Sequence, residues 1–104
     1  MRVLCLCSAG NNRSVAEAYV LKFEREPHHD ALAAGVDRNS PETLRMLCEW
    51  AERIVVAEQW MIDRVPIEHR GKVAMSFVGP DRWGLGINPE LMEVARSAVR
   101  EAGL

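Results

Sequence analysis

The chain has 104 residues, 48% of them hydrophobic and 27% charged, with a formal net charge of −2, the size and balance of one globular domain. This leaves no basic field for nucleic acid or a membrane surface, and no apolar run approaches the ~20 residues of a membrane-spanning helix. The three cysteines lack disulfide-framework spacing and no signal-peptide pattern is visible, so reduced thiols in a cytoplasm are the expectation.

The first predicted element is a short apolar strand, residues 3–6, running directly into Cys7-Ser8-Ala9-Gly10-Asn11-Asn12-Arg13-Ser14. A helix is predicted over residues 14–25, with Val15, Ala18, Tyr19 and Phe23 on one face. Glu26-Pro27-His28-His29-Asp30 ends it, and the two histidines read as solvated. A weak second strand, 31–34, stops at Gly35. Ser40 caps a second helix, with Pro41 at its first position, Glu42 in its first turn, and Leu44, Leu47 and Cys48 inward. Residues 53–57 are the third strand, apolar throughout after Arg53, as in a parallel strand covered on both faces. A short helix over 58–64 halts before Pro66, and a fourth strand starts at Lys72 and runs to Phe77 or Val78. After the loop 79–87, Asn88 and Pro89 start a last helix that Gly103 stops, with Leu91, Val94, Ala95, Ala98 and Ala102 as its buried stripe.

Alternating strands and helices predict a single α/β domain over residues 1–104: a four-stranded parallel sheet with helices on both faces. Right-handed crossovers give the order 2-1-3-4. The loops after strands one and four then open at the carboxyl edge of the sheet, where open α/β sheets bind ligands.

The segment between strand one and helix one carries the chemistry. A cysteine is as a rule a small buried hydrophobe, and a cysteine five residues before an arginine is not rare in an arginine-rich chain. The strand-turn-helix position is what gives this one meaning. A cysteine attacks as its thiolate, a form that a helix N-terminus and a nearby cation favour. The spacer Ser8-Ala9-Gly10-Asn11-Asn12 can curl so that its N–H groups face one oxyanion. The planar fork of Arg13 matches two phosphoryl oxygens, and Ser14 can hydrogen-bond the sulfur. Cys7 is thus the expected nucleophile of a phosphoryl-transfer site.

Such a transfer also needs a proton donor for the leaving oxygen and a base for the following water. Asp81 is the candidate, since the topology brings its loop to the same edge. Its alternative role is a turn aspartate after proline. Asp37 and Glu58 follow strands at that edge and are the reserve candidates, and Asp37 is also a candidate, with Trp83, for a wall of the substrate site. Trp83 reads either as an aromatic wall for an aryl substrate or as a residue packing on its own domain. Cys5 and Cys48 read as buried and inert. Zinc is not expected, because no cluster has ligand spacing.

These motifs resemble the low-molecular-weight protein tyrosine phosphatases, most clearly the short bacterial and phage-type members. The loop from Cys7 to Ser14 matches the family's Cys-x5-Arg-Ser signature. Ala33-Ala34-Gly35 resembles the family's second-strand ending, and Glu49-Trp50-Ala51-Glu52 the approach to its third strand. Gly79-Pro80-Asp81, leading to Asn88-Pro89-Glu90-Leu91, resembles its general-acid loop and last helix. The resemblance implies a four-stranded parallel fold and phosphotyrosine or small aryl phosphate as substrate. Phosphate or sulfate is the ion expected in the loop, with no metal or organic cofactor. It also implies Cys7 as nucleophile, Arg13 as phosphate ligand, Ser14 as the residue that tunes the thiolate and Asp81 as acid. The departures are Gly10, where the family usually has asparagine, and Asn12, where many members carry a second, protective cysteine. The segment 35–40 is also short where larger members build one wall of the cleft, which implies a more open pocket. An arsenate reductase on the same fold, which needs resolving thiols near the nucleophile, and a phosphate-binding module with weakened catalysis are the alternatives.

Overall fold

The computed structural model describes residues 1–84 and 88–104. Leu85, Gly86 and Ile87, the end of the loop expected over 79–87, lie outside the described residues. Strands β1 (Arg2–Cys7), β2 (Asp30–Gly35), β3 (Arg53–Val56) and β4 (Val73–Met75) form one parallel sheet in the order β2-β1-β3-β4. This is the expected architecture. Val3 to Cys7 and Ile54 to Val56 are all buried, because both faces of a parallel sheet are covered.

Helix α1 (Arg13–Tyr19) continues through a wider π-type turn, Val20–Glu24, and packs against the C-terminal helix α3 (Pro89–Glu101). Arg96 of α3 reaches Glu24 at 2.7 Å, tying the two together at the surface. Helix α2 (Pro41–Trp50) is grouped instead with the 3-10 turns Gln59–Arg64 and Ile67–Lys72. Lys72 Nζ donates to the Cys48 carbonyl at 2.8 Å, and Arg45 pairs with Glu68. Right-handed connections put these two groups on opposite faces of the sheet. Ser40 and Asn88 cap their helices, accepting from Thr43 N–H at 3.2 Å and Leu91 N–H at 2.8 Å.

The short helix expected over 58–64 is a 3-10 turn. A second such turn, Ile67–Lys72, stands where only a connection was expected before Lys72. The fourth strand ends at Met75 rather than at Phe77 or Val78: Ser76 N–H still reaches the Val56 carbonyl at 2.9 Å, but the chain then leaves the sheet toward Gly79.

The largest difference is the face that α1 buries. Tyr19 and Phe23 are exposed and stack on each other at 5.0 Å. The buried residues are Arg13, Ser14, Ala16, Glu17, Ala18, Val20 and Leu21. Three of those seven are polar, so a reading that seeks apolar residues at helical spacing keeps Ala18 but otherwise selects the neighbouring face.

One backbone contact holds the 7–14 loop in place. Val36 N–H donates to Cys7 O and Asp37 N–H to Ser8 O, both at 2.9 Å. The loop therefore lies directly on the end of β2. Gly10, at φ 75°, faces Gly35 so closely that a Cβ on it would stand 2.4 Å from Gly35 N. A Cβ on Gly35 would stand 2.3 Å from the Ala9 carbonyl carbon. Both glycines are required by backbone meeting backbone. Gly35→Ala should destabilise the chain by about 1–3 kcal/mol through overpacking. Gly71→Ala, at a site with nothing within 4 Å, should stay within about 0.5 kcal/mol of the parent. Urea denaturation of the two variants checks the contrast.

Candidate active site

Cys7 ends β1 with its side chain buried. Its sulfur accepts from Gly10 N–H at 3.2 Å and lies 3.0 Å from Ser14 Oγ. A sulfur that meets an amide and a hydroxyl in this way is held in one orientation. The bend that turns Gly10 N–H back onto the sulfur is the positive-φ bend that also lets the loop touch Gly35.

Arg13 is wholly buried. Its Nη1 donates to Glu58 Oε2 at 3.0 Å and to the Gly79 carbonyl at 3.1 Å, and its Nη2 donates to Ser8 Oγ at 3.3 Å. Its Nε has no partner among the described residues. A buried guanidinium needs its donors met, and an oxyanion bound in the loop would supply the acceptor that Nε lacks. Glu58, a reserve candidate for the proton donor, is instead the counter-ion of Arg13, held by the turn that follows β3.

Asp81 is exposed, and its Oδ1 lies 3.4 Å from Asn12 Nδ2. Residues 69 positions apart in sequence thus meet at the rim of the loop. Asp37, the other reserve candidate, pairs with Arg64 at 3.0 Å, while Arg64 also donates to the Val36 carbonyl at 2.8 Å. Asp37 therefore forms part of the rim beside Ser8. Trp83 is buried with the guanidinium of Arg82 4.0 Å over its ring, which leaves little indole face for a substrate.

Cys5 and Cys48 are buried. Burial pushes the Cys5 thiol well above its ordinary range, and the charges of Glu17 and Cys7 push it further. Burial also raises Cys48, against Lys72 and Arg45. Neither has the character of an attacking thiol. A wider cleft of about 420 Å³ lies between α2 and the 3-10 turns. Its arginines are all engaged within the chain: Arg45 by Glu68, Arg64 by Asp37, and Arg70 by the Val65 carbonyl. It contains no nucleophile, so the chemistry points to the smaller nest at Cys7.

Glu17, absent from the sequence-derived site, lies one helical turn behind Arg13 and Ser14. It is wholly buried, accepts from Ser76 Oγ, and leaves Oε1 without a partner. Burial raises its carboxyl from 4.5 to about 7, against the lowering effects of the Ser76 hydrogen bond and the Arg13 charge. Its spacing from Arg13 was the available signal, because positions i and i+4 share a helix face. Between pH 4.5 and about 7 the folded chain retains a proton there that the unfolded chain has lost. This contribution to stability is therefore full below the lower value and falls as pH rises through the upper one. Glu17→Gln should flatten that decline, by on the order of a few kcal/mol at most. Urea midpoints of parent and variant at matched acidic and alkaline pH read the difference, and the three histidines are common to both chains.

No protein-family model and no curated protein matches the chain. Solved structures do. The tyrosine phosphatase Wzb from Escherichia coli K30, in complex with phosphate, is 15% identical with a TM-score of 0.71, over 98% of this chain and 96% of that one. Wzb from Vibrio vulnificus, in complex with benzylphosphonate, is 19% identical with a TM-score of 0.65, over 97% and 92%. The YwlE arginine phosphatase from Geobacillus stearothermophilus is 19% identical with a TM-score of 0.60, over 97% and 84%. Identities this low speak for fold, and near-complete coverage in each case makes it the fold of the whole chain: the fold of the low-molecular-weight protein tyrosine phosphatases.

Proposed function

We propose that the chain is a cysteine-dependent phosphomonoester hydrolase of the protein tyrosine phosphatase type, working through a phosphocysteine. The observation that carries this reading is the sulfur of Cys7, held by Gly10 N–H and Ser14 Oγ beside a buried arginine with an unpartnered Nε. Fold neighbours described in complex with phosphate and with benzylphosphonate support an aryl phosphate as substrate.

In the first step the Cys7 thiolate attacks phosphorus. The S–P bond forms as the P–O bond to the leaving group breaks, and Asp81 gives its proton to the departing oxygen. In the second step Asp81 takes a proton from water, the water oxygen attacks phosphorus, and the thiolate and inorganic phosphate are released. Arg13 and the N–H groups of Ser8, Ala9 and Asn11 stabilise the charge on the transferring oxygens, Gly10 N–H stays on the sulfur, and Ser14 stabilises the sulfur when it attacks and when it leaves. Glu58 and Ser8 fix the arginine against which that charge develops. Arsenate reduction would need a resolving thiol, and the burial of Cys5 and Cys48 leaves none exposed. No helix among the described residues is long and apolar enough to cross a membrane, and reduced thiols favour a cytoplasmic setting.

The test is aryl phosphate hydrolysis. Cys7→Ser should abolish turnover with the fold intact, and Arg13→Lys should be nearly as damaging as Arg13→Ala, because lysine lacks the fork. Asp81→Asn should slow phenyl phosphate on the order of 10²–10⁴-fold. A nitrophenyl ester, whose oxide leaves unaided, should suffer far less. Turnover by the serine variant would remove the nucleophile, and equal losses on both esters would make Asp81 a turn residue. Phosphoarginine, tested alongside, reports whether the site follows the neighbour described as an arginine phosphatase.

A further inference from the structure

Asn12 occupies a position that the reaction itself does not require, yet it is almost fully buried and its amide is used at both ends. Its Oδ1 accepts from Arg13 N–H, which caps α1. Its Nδ2 donates to the Gly84 carbonyl at 2.5 Å and, at a longer 3.4 Å, to Asp81 Oδ1. The partners fix the orientation of the amide: the oxygen faces an N–H and the nitrogen faces two oxygens. Arg13, the next residue, donates to the Gly79 carbonyl at 3.1 Å.

Two consecutive loop residues therefore hold both ends of the segment carrying the acid, at Gly79 and at Gly84. These two glycines have φ of 84° and 68°, and among the described residues nothing lies within 4 Å of a Cβ at either. Neighbours do not crowd the segment into place at those ends. At those ends the hydrogen bonds from the 7–14 loop hold it, while Trp83 anchors its middle in the core. They engage Asp81 through one oxygen, and its Oδ2 has no partner among the described residues.

We propose that Asn12 is the positioning residue for Asp81: it fixes the acid-bearing segment over the nucleophile and orients the carboxyl so that Oδ2 faces the leaving group. This rests on the hydrolase reading above. It assigns to the loop a second task besides holding the oxyanion, since the residue that caps α1 also sets the distance between proton donor and sulfur.

Asn12→Ser separates the two tasks. Serine keeps a side-chain acceptor for the N–H groups of the first turn of α1 and adds no charge, but it is too short to reach Gly84 and Asp81. Misplacing an acid costs most where the leaving group needs it. The variant should therefore lose on the order of 10–10²-fold in kcat on phenyl phosphate, with a several-fold smaller loss in kcat on nitrophenyl phosphate and a smaller change still in inhibition by inorganic phosphate. Combined with Asp81→Asn it should add little further loss, since both changes remove one function. Deuterium uptake should quicken over residues 79–84 and stay level over β1. Asn12→Asp keeps the shape and the cap but sets an acceptor against two oxygens, and it should show the same leaving-group discrimination. Equal losses on both esters, weaker phosphate inhibition with unchanged discrimination, or fully additive losses would overturn the assignment. So would unchanged uptake over 79–84, a reading that needs no turnover. A parent chain that bound phosphate but hydrolysed neither ester would sink the hydrolase reading, while the uptake comparison would still decide the clamp.

Discussion

A guanidinium with no access to water must find its acceptors inside the chain, and most of this architecture can be read as the set of acceptors that Arg13 requires. Burying a cation unpaired is among the most expensive things a protein can do, and pairing it in good geometry roughly cancels the expense. Glu58 comes from the end of β3, Gly79 from the segment after β4 and Ser8 from the loop after β1. Three strand ends are thus drawn to one point at the carboxyl edge of the sheet. The fourth, β2, joins through the backbone contact between Gly35 and the loop. Removing the cation would unsettle every connection that forms the site.

A second polar layer lies beneath. Glu17, Ser76 and Cys5 are all wholly buried beneath the 7–14 loop. Glu17 sits close enough to feel Arg13 and Cys5, so its proton is coupled to the electrostatics of the floor beneath Cys7. The Cys5 thiol beside it is kept protonated, which leaves the Cys7 sulfur without a competing thiolate.

Much of this was legible in the sequence because it rests on local rules. Ser40-Pro41 and Asn88-Pro89 announce helix starts, and the run from Ile54 to Val56 announces a strand covered on both faces. Cys7, Arg13 and Ser14 stand out because their chemistry needs that spacing at that junction, and strand order followed from handedness. Long-range polar partnerships were not legible. Glu58 was a carboxylate at the right edge, but nothing local tells a proton donor from a counter-ion. Asn12 looked like a loop residue until its 72-residue reach to Gly84 was visible. Tyr19 and Phe23 misled because hydrophobic periodicity assumes that buried means apolar, and the face that α1 buries includes Arg13, Ser14 and Glu17.

The amide at position 12 also has a bearing on how the site meets oxidants. A thiolate able to attack phosphorus, the role proposed for Cys7, is equally ready for peroxide, and its sulfenic acid is rescued most quickly by a thiol within reach. Here the place nearest to hand in sequence, beside Arg13, is filled by a hydrogen-bonding group, while Cys5 and Cys48 are buried and poorly ionised. Recovery of the oxidised sulfur then falls to small thiols from solution, and they must enter through the opening the substrate uses. A bound oxyanion would shield the nucleophile that no neighbouring cysteine guards, so the redox lifetime of the site would follow the phosphate concentration around it.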